Sequence, residues 1–337
     1  MKNEHILQIK DLKISFQSGK KLLPAVDGVS FELKEGEILG IVGESGSGKS
    51  VTSLAAMGLI PSPPGKVETG EIYFSGKDLT SISESEWRKI RGNQISMIFQ
   101  EPMTSLNPLF TIGNQLMEAI RLHTDFSKTQ AKVRSIELLK LVGIPRAKEI
   151  LTEYPHQLSG GMRQRVMIAM AMACHPRVLI ADEPTTALDV TIQAQILALM
   201  KDLNQKMNTS IILITHDLGV VAEICERVIV MYAGQIVEQG DVRTILKNPQ
   251  HPYTKGLLKS VPDLREKKDR LYSIPGTVPT PGAVIAGCRF AARCSEVFST
   301  CHVEKPELYE TVKEGHAVRC FLHTLKGERD GYVGNTP

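Results

Sequence analysis

ILGIVGESGSGKS, residues 38–50, is the most informative stretch of the chain. Ile38 to Val42 is an apolar run of strand length, and it feeds directly into a glycine-rich loop. Gly43, Glu44, Ser45, Gly46, Ser47, Gly48, Lys49 and Ser50 then match G-x-x-x-x-G-K-[ST], the phosphate-loop pattern, with a strand before it and a helix after it. The glycines let successive backbone N–H groups converge on a phosphate, and the new helix turns its positive end to the same anion. In such a loop Lys49 reaches the β- and γ-phosphates and Ser50 offers its hydroxyl to Mg²⁺. The expected ligand is ATP, and the expected fold is α/β.

Other apolar strands end on polar residues. Val178 to Ala181 delivers Asp182 and Glu183, and ligands bind at the C-terminal ends of strands in open parallel sheets. Asp182 suits Mg²⁺, while Glu183 can polarise an attacking water. Adjacent carboxylates repel, so a cation gives the pair a reason. Ile211 to Ile214 leads to His216, a candidate γ-phosphate contact, and Ile95 to Phe99 leads to Gln100, an uncharged amide able to hold water or Mg²⁺.

Strands alternate with helices through this region, which predicts a largely parallel sheet. Leu7 to Phe16, Val29 to Leu33 and Glu71 to Phe74 read as an N-terminal strand layer. Ile112 to about Gly143 is helical in pattern, and a further helix follows Ser159, Gly160 and Gly161 to about Ala173. Of 337 residues, 42% are hydrophobic and 23% charged, an ordinary balance for a globular protein with a substantial core. A net charge of +3 without a basic tract argues against nucleic acid as a partner. The apolar runs are too short to span a bilayer, and Met1 to Asp11 lacks the apolar core of a signal peptide. The expected location is the cytoplasm, with any membrane contact made through a partner.

Leu158 to Gln164, reading LSGGMRQ, resembles the signature motif of ATP-binding cassette proteins, and Ser159 stands 23 residues before Asp182. A serine and two glycines at a helix start form a second anion site although one ATP already has a cradle. The resemblance implies the answer: two such domains pack head to tail, and Ser159, Gly160 and Gly161 of one close over the ATP of the other. It also implies that Phe16 stacks on adenine, Gln100 faces the membrane subunits and binds Mg²⁺, and Glu183 is the catalytic base. His216 resembles the switch histidine, and Ala187-Leu188-Asp189 the segment crossing the dimer interface. The fold implied is a phosphate-loop NTPase of the cassette type with an N-terminal antiparallel β subdomain, a helical signature subdomain over about 105–175 and a small C-terminal extension. The cassette is expected over 1–250 and the extension over 251–337.

Longer strings narrow the class. QEPMTSLNP at 100–108, YPHQLSGGMRQR at 154–165 and ADEPTTALDVT at 181–191 resemble oligopeptide and dipeptide importers, as do HPYT at 251–254 and IPG at 274–276. That resemblance implies a hydrolysing subunit at the cytoplasmic face of the cell membrane, a second homologous F-type ATPase, two transmembrane permease subunits and an extracellular peptide-binding protein. Met162 and the Gly287–Cys294 stretch look more like the D-type subunit. A nickel importer shares this architecture and is one alternative; a non-transport cassette ATPase is the other.

Beyond residue 248 the texture changes, with six prolines between Pro249 and Pro281. Cys288, Cys294, Cys301 and Cys320 are separated by five, six and eighteen residues, wider than structural zinc knuckles. Four thiols suit an iron–sulfur cluster, Zn²⁺ or plain reduced cysteines in a small core; some importers of the resembled class carry a [4Fe–4S] cluster here. Cys174 and Cys225 fall in helical segments and read as small hydrophobes.

Overall fold

The computed structural model describes residues 5–100, 105–186, 188–261, 272–280, 282–283 and 285–323. Ala187, Glu101 to Thr104 and, of the six prolines, Pro262 and Pro281 therefore lie outside the described residues.

Two sheets share the N-terminal half. Strands β1 (His5–Ser18), β2 (Lys21–Lys34), β4 (Gly65–Phe74) and β5 (Lys77–Asp78) form an antiparallel sheet in the order β2-β1-β4-β5. The first hairpin is longer than its apolar pattern predicts: β2 begins at Lys21 rather than Val29, and β4 at Gly65 rather than Glu71. Bulges in the β1–β2 ladder break the alternation that would have revealed it, and Pro24 is tolerated because β2 is an edge strand.

The larger sheet contains β3 (Ile38–Val42), β6 (Ile95–Ile98), β7 (Val178–Asp182), β8 (Ser210–Thr215), β9 (Arg227–Tyr232), β10 (Gln235–Asp241), β11 (Tyr309–Glu310) and β12 (Ala317–Val318), in the order β11-β12-β10-β9-β3-β8-β7-β6. Strands β6, β7, β8, β3 and β9 run parallel, so their C-terminal ends lie on one side. β3, β7 and β8 are buried along their whole length, which is why they read as continuous apolar runs. β10 turns back antiparallel, and the extension adds β12 and β11 beyond it.

The helical insert comprises Ile112–His123 and Lys128–Leu141, separated where Ser127 and Gln130 form a capping box. Ile112, Leu116 and Ile120 make the buried stripe of the first helix, whereas Leu122 is 75% exposed because it falls off that spacing. One core lies between the insert and the sheet, a second between the two sheets, and a third joins β9 and β10 to the extension through Tyr232, Tyr253 and Phe290. Among the described residues no helix is long and apolar enough to cross a membrane.

Candidate functional site

β3 sits between β8 and β9 and leads into Gly43, where a Cβ would lie 2.2 Å from the Met231 carbonyl oxygen. Gly48 takes φ 97° immediately before the helix Lys49–Ala56, which gives the loop its turn into the helix axis. Lys49 is buried, and its ammonium donates to the Gly43 and Glu44 carbonyls at 2.7 and 3.1 Å. Burial lowers its pKa, opposed by the negative charges of Glu183, Asp182 and Glu44. The loop, the first residues of its helix and the β7 acids thus form one electrostatic unit.

Asp182 ends β7 with 4% exposure. Burial raises its carboxyl pKa above the ordinary range, and a hydrogen bond with Ser50 is the main opposing effect. Its Oδ1 is buried with no hydrogen-bond partner among the described residues, as is Ser47 Oγ in the loop. Buried polar atoms are almost always paired. An unpartnered carboxylate oxygen near a serine hydroxyl is the donor chemistry a hard divalent cation takes, so the residues fit Mg²⁺ beside a phosphate.

β6, β7 and β8 are adjacent and parallel, and this order gathers the polar residues that follow them. Glu183 is the meeting point: Gln100 Nε2 donates to its Oε2 at 3.3 Å, Thr186 Oγ1 donates to the same oxygen at 2.9 Å, and His216 Nδ1 lies 3.4 Å from Oε1. The Glu183 backbone occupies the left-handed region at φ 47°, and its N–H donates to the Ile214 carbonyl at 2.9 Å. A non-glycine residue held there by its surroundings is typical of functional strain. Thr186 was not singled out from sequence, because a threonine three residues along a loop has no distinguishing pattern.

Phe16 is half-buried and lines a cleft of about 230 Å³ with Gly46, Gly48 and Val51 on the cassette side. Arg289 of the extension closes the same cleft. The signature residues lie elsewhere: Ser159 caps the helix Gly160–Ala171, its hydroxyl accepting from the Met162 N–H at 3.3 Å. Ser159 and Gly160 are exposed, and Gly161 packs on Ile192, leaving no room for a larger residue unless Ile192 moves. Asp189 is exposed and caps the helix Val190–Met207 through the Ile192 N–H at 3.0 Å.

Two residues missed in the sequence bind the phosphate loop from the extension. The Tyr253 hydroxyl accepts from the Glu44 N–H at 2.9 Å, and Arg293 grips the Glu44 carboxylate with two nitrogens at 2.7 and 3.1 Å. They stand 209 and 249 residues from Glu44, beyond any local pattern.

Cys288, Cys294, Cys301 and Cys320 line one narrow cavity with Phe290, Phe298 and Phe321. The expected cluster, or zinc, is nonetheless not supported by the geometry: among the described residues no group of three or more His, Cys, Asp or Glu is arranged to hold a metal ion. Cys288 and Cys294 instead pack against the third core, and burial raises their thiol pKa values, that of Cys320 to about 12. Cys174 and Cys225 pack against the first core.

Two family profiles match the chain. The ABC transporter family profile matches residues 26–186, and that of the oligopeptide/dipeptide transporter C-terminal region matches residues 237–301. The oligopeptide transport ATP-binding protein AppD of Bacillus subtilis is 56% identical, with 96% of this chain and 98% of that protein aligned. The dipeptide transport ATP-binding protein DppD of Escherichia coli is 51% identical over 94% of this chain and 96% of its own length. Among solved structures, a post-hydrolysis dimer of the ATP-binding cassette MJ0796 bound to ADP and Pi is 30% identical with a TM-score of 0.63, covering 70% of this chain and 99% of that one.

Proposed function

The chain belongs to the ABC transporter family, among its oligopeptide and dipeptide transport ATP-binding proteins, and on that premise we propose that it hydrolyses ATP to drive peptide import. The single observation that carries the chemistry is the meeting of Gln100, Thr186 and His216 on Glu183, beside a phosphate loop whose Lys49 feels the same carboxylate. The relatives reported above are peptide transport proteins, and none favours the nickel alternative.

In this reading the phosphate loop and Lys49 bind the β- and γ-phosphates, and Phe16 stacks on adenine. Ser50, Asp182 and Gln100 would hold Mg²⁺, which would neutralise phosphate charge when bound. Glu183 takes a proton from the attacking water, while Gln100 and Thr186 fix its carboxylate and His216 senses the γ-phosphate from the next strand. Ser159, Gly160, Gly161 and Asp189 belong to the face that meets a second ATPase subunit; the exposure of Ser159, Gly160 and Asp189 on capped helices supports that role. The partners are that F-type subunit, two permeases and an external peptide-binding protein, with this chain at the cytoplasmic face. Division near residue 250 into cassette and extension is part of the same proposal.

A [4Fe–4S] cluster, with Zn²⁺ as alternative, is the finer proposal for the extension; its support is only that the four thiols line one cavity, without the arrangement of a metal site. Bound there, it would supply a cross-link between the extension's loops. Iron, acid-labile sulfide and zinc, quantified on protein purified without oxygen, decide it, and a metal-free, stably folded chain rejects it.

The function is tested by reconstituting the full assembly in vesicles. ATP-dependent uptake of labelled di- and oligopeptides with the cognate binding protein is expected. Uptake of nickel but not peptides would overturn the reading.

A further inference from the structure

Glu44 occupies the second position of the phosphate loop, and a carboxylate there faces a ligand that is itself polyanionic. Its charge reaches Lys49, the loop's cation. The extension handles this acid with unusual completeness. Arg293, with a side chain only 5% exposed, places one terminal nitrogen on each Glu44 oxygen, at 2.7 and 3.1 Å. Its remaining donors go to the carbonyls of Pro275 and Ile274 at 2.9 and 3.2 Å and to the Tyr232 hydroxyl at 3.4 Å. The guanidinium is therefore locked in a single pose, with its Cζ 5.8 Å from the Tyr232 ring centroid.

A second contact fixes the backbone. Tyr253 is fully buried, its ring packed on Tyr232 and Phe290 at 4.7 and 5.4 Å, and its hydroxyl receives the Glu44 N–H. That N–H is thus withdrawn from the set of loop amides that can turn to phosphate. The loop's shape and charge at position 44 are set by the extension and not by the cassette alone. Nearby, Arg289 repeats the arrangement by pairing with Asp27 and donating to the Ala233 carbonyl beside Gly234, on the rim of the nucleotide cleft.

We infer that Arg293, with Tyr253, is a positioning residue for ATP binding, because it neutralises and anchors Glu44 so that the phosphate loop presents one geometry and no opposing charge. The inference rests on the reading of Gly43 to Ser50 as the ATP phosphate site.

The alternative is a staple that merely holds the extension to the cassette, and the two differ in sign. If Arg293 masks the Glu44 charge, Arg293→Gln weakens Mg-ATP binding by about tenfold, the worth of one charge-assisted contact. Adding Glu44→Gln to that variant then restores part of the affinity, and Arg293→Lys gives an intermediate value. In the full assembly the Arg293→Gln change raises KM for ATP with little change in kcat. A pure staple instead lowers the melting temperature without nucleotide and leaves the double variant as weak as the single one or weaker. The measurement is titration of the full-length subunit with a fluorescent ATP analogue, with melting curves on the same samples. Unchanged affinity in Arg293→Gln, or no recovery in the double variant, overturns the inference. Tyr253→Phe, which removes only an oxygen, provides a second variant should Arg293→Gln fold poorly; it is expected to weaken binding severalfold, and wild-type affinity would count against the anchor. Failure of the wild-type chain to bind ATP, with Lys49→Ala no different, would instead overturn the phosphate-site reading.

Discussion

At Gly43 the room for a side chain is nil, since the Met231 carbonyl occupies the place of a Cβ at 2.2 Å and the backbone holds φ 155°. Gly43→Ala must move β9 or the loop, a cost of roughly 1–3 kcal/mol in strain. ATP affinity should fall sharply; a variant that binds normally would contradict the geometry. Glu183 presents the opposite case, a residue strained yet fully held by its neighbours. Glu183→Gln should retain ATP binding and slow hydrolysis by roughly 10²- to 10⁴-fold, measured in an assembly whose other ATP site is disabled. Unaltered turnover there would remove Glu183 from the role of base. These residues could be found from sequence because each follows an apolar strand directly. Tyr253, Arg293 and Arg289 could not, since their partners lie across the fold; the one available signal was that each of the three arginines of the described extension, Arg289, Arg293 and Arg319, adjoins one of its four cysteines.

Helix starts carry much of the element-scale design. Ser159 caps the signature helix, so Ser159→Ala should cost about 1 kcal/mol of stability. If Ser159 also meets nucleotide across a dimer, ATPase activity of the assembly should drop far more than that loss predicts, whereas activity falling only in step with stability would leave Ser159 as a cap. Legibility of the elements follows burial. The strands buried on both faces, β3, β7 and β8, were readable as apolar runs, and the helices by their stripes. The hairpin β1–β2 was readable only in part, because bulges shift its register and Pro24 sits at the edge. The short β11 and β12, two residues each, have no pattern at all; they exist because β10 offers an unpaired edge.

Across the whole molecule, the extension completes the cassette's own sheet. Glu238 on β10 is fully buried and is satisfied by the Gln250 and His251 N–H groups at 2.7 and 3.0 Å and by His316 at 2.8 Å. A chain cut after residue 250 loses two of these partners. Leaving such a carboxylate unpaired costs roughly 3–5 kcal/mol, so the truncated cassette should melt far below the full chain, and Glu238→Gln should recover part of the loss. A truncation as stable as the full protein would refute this. His251 adds a pH dependence. Burial lowers its pKa to about 4, with Glu238 partly opposing, and its Nδ1 accepts from the Tyr253 N–H at 3.0 Å. Its folded pKa lies below the unfolded value of about 6.5, so the unfolded chain takes up a proton that the folded one refuses as pH falls between them. This contribution is complete above pH 6.5 and declines by on the order of 3 kcal/mol by pH 4. Melting temperature should fall through that window, and His251→Asn should flatten the slope; an unchanged slope would assign it to other groups.

The late arrival of β12 has a consequence during synthesis. Glu238 and His316 are separated by 78 residues, and a ribosome adding about 5–20 residues per second takes roughly 4–16 s to traverse them. For most of that interval each nascent chain carries β10 with its outer edge bare and its acid short of His316, a template on which a neighbouring polypeptide on the same messenger could pair. Stalling or slow codons between these two positions should therefore raise the share of newly made subunit that aggregates, although the finished protein is identical.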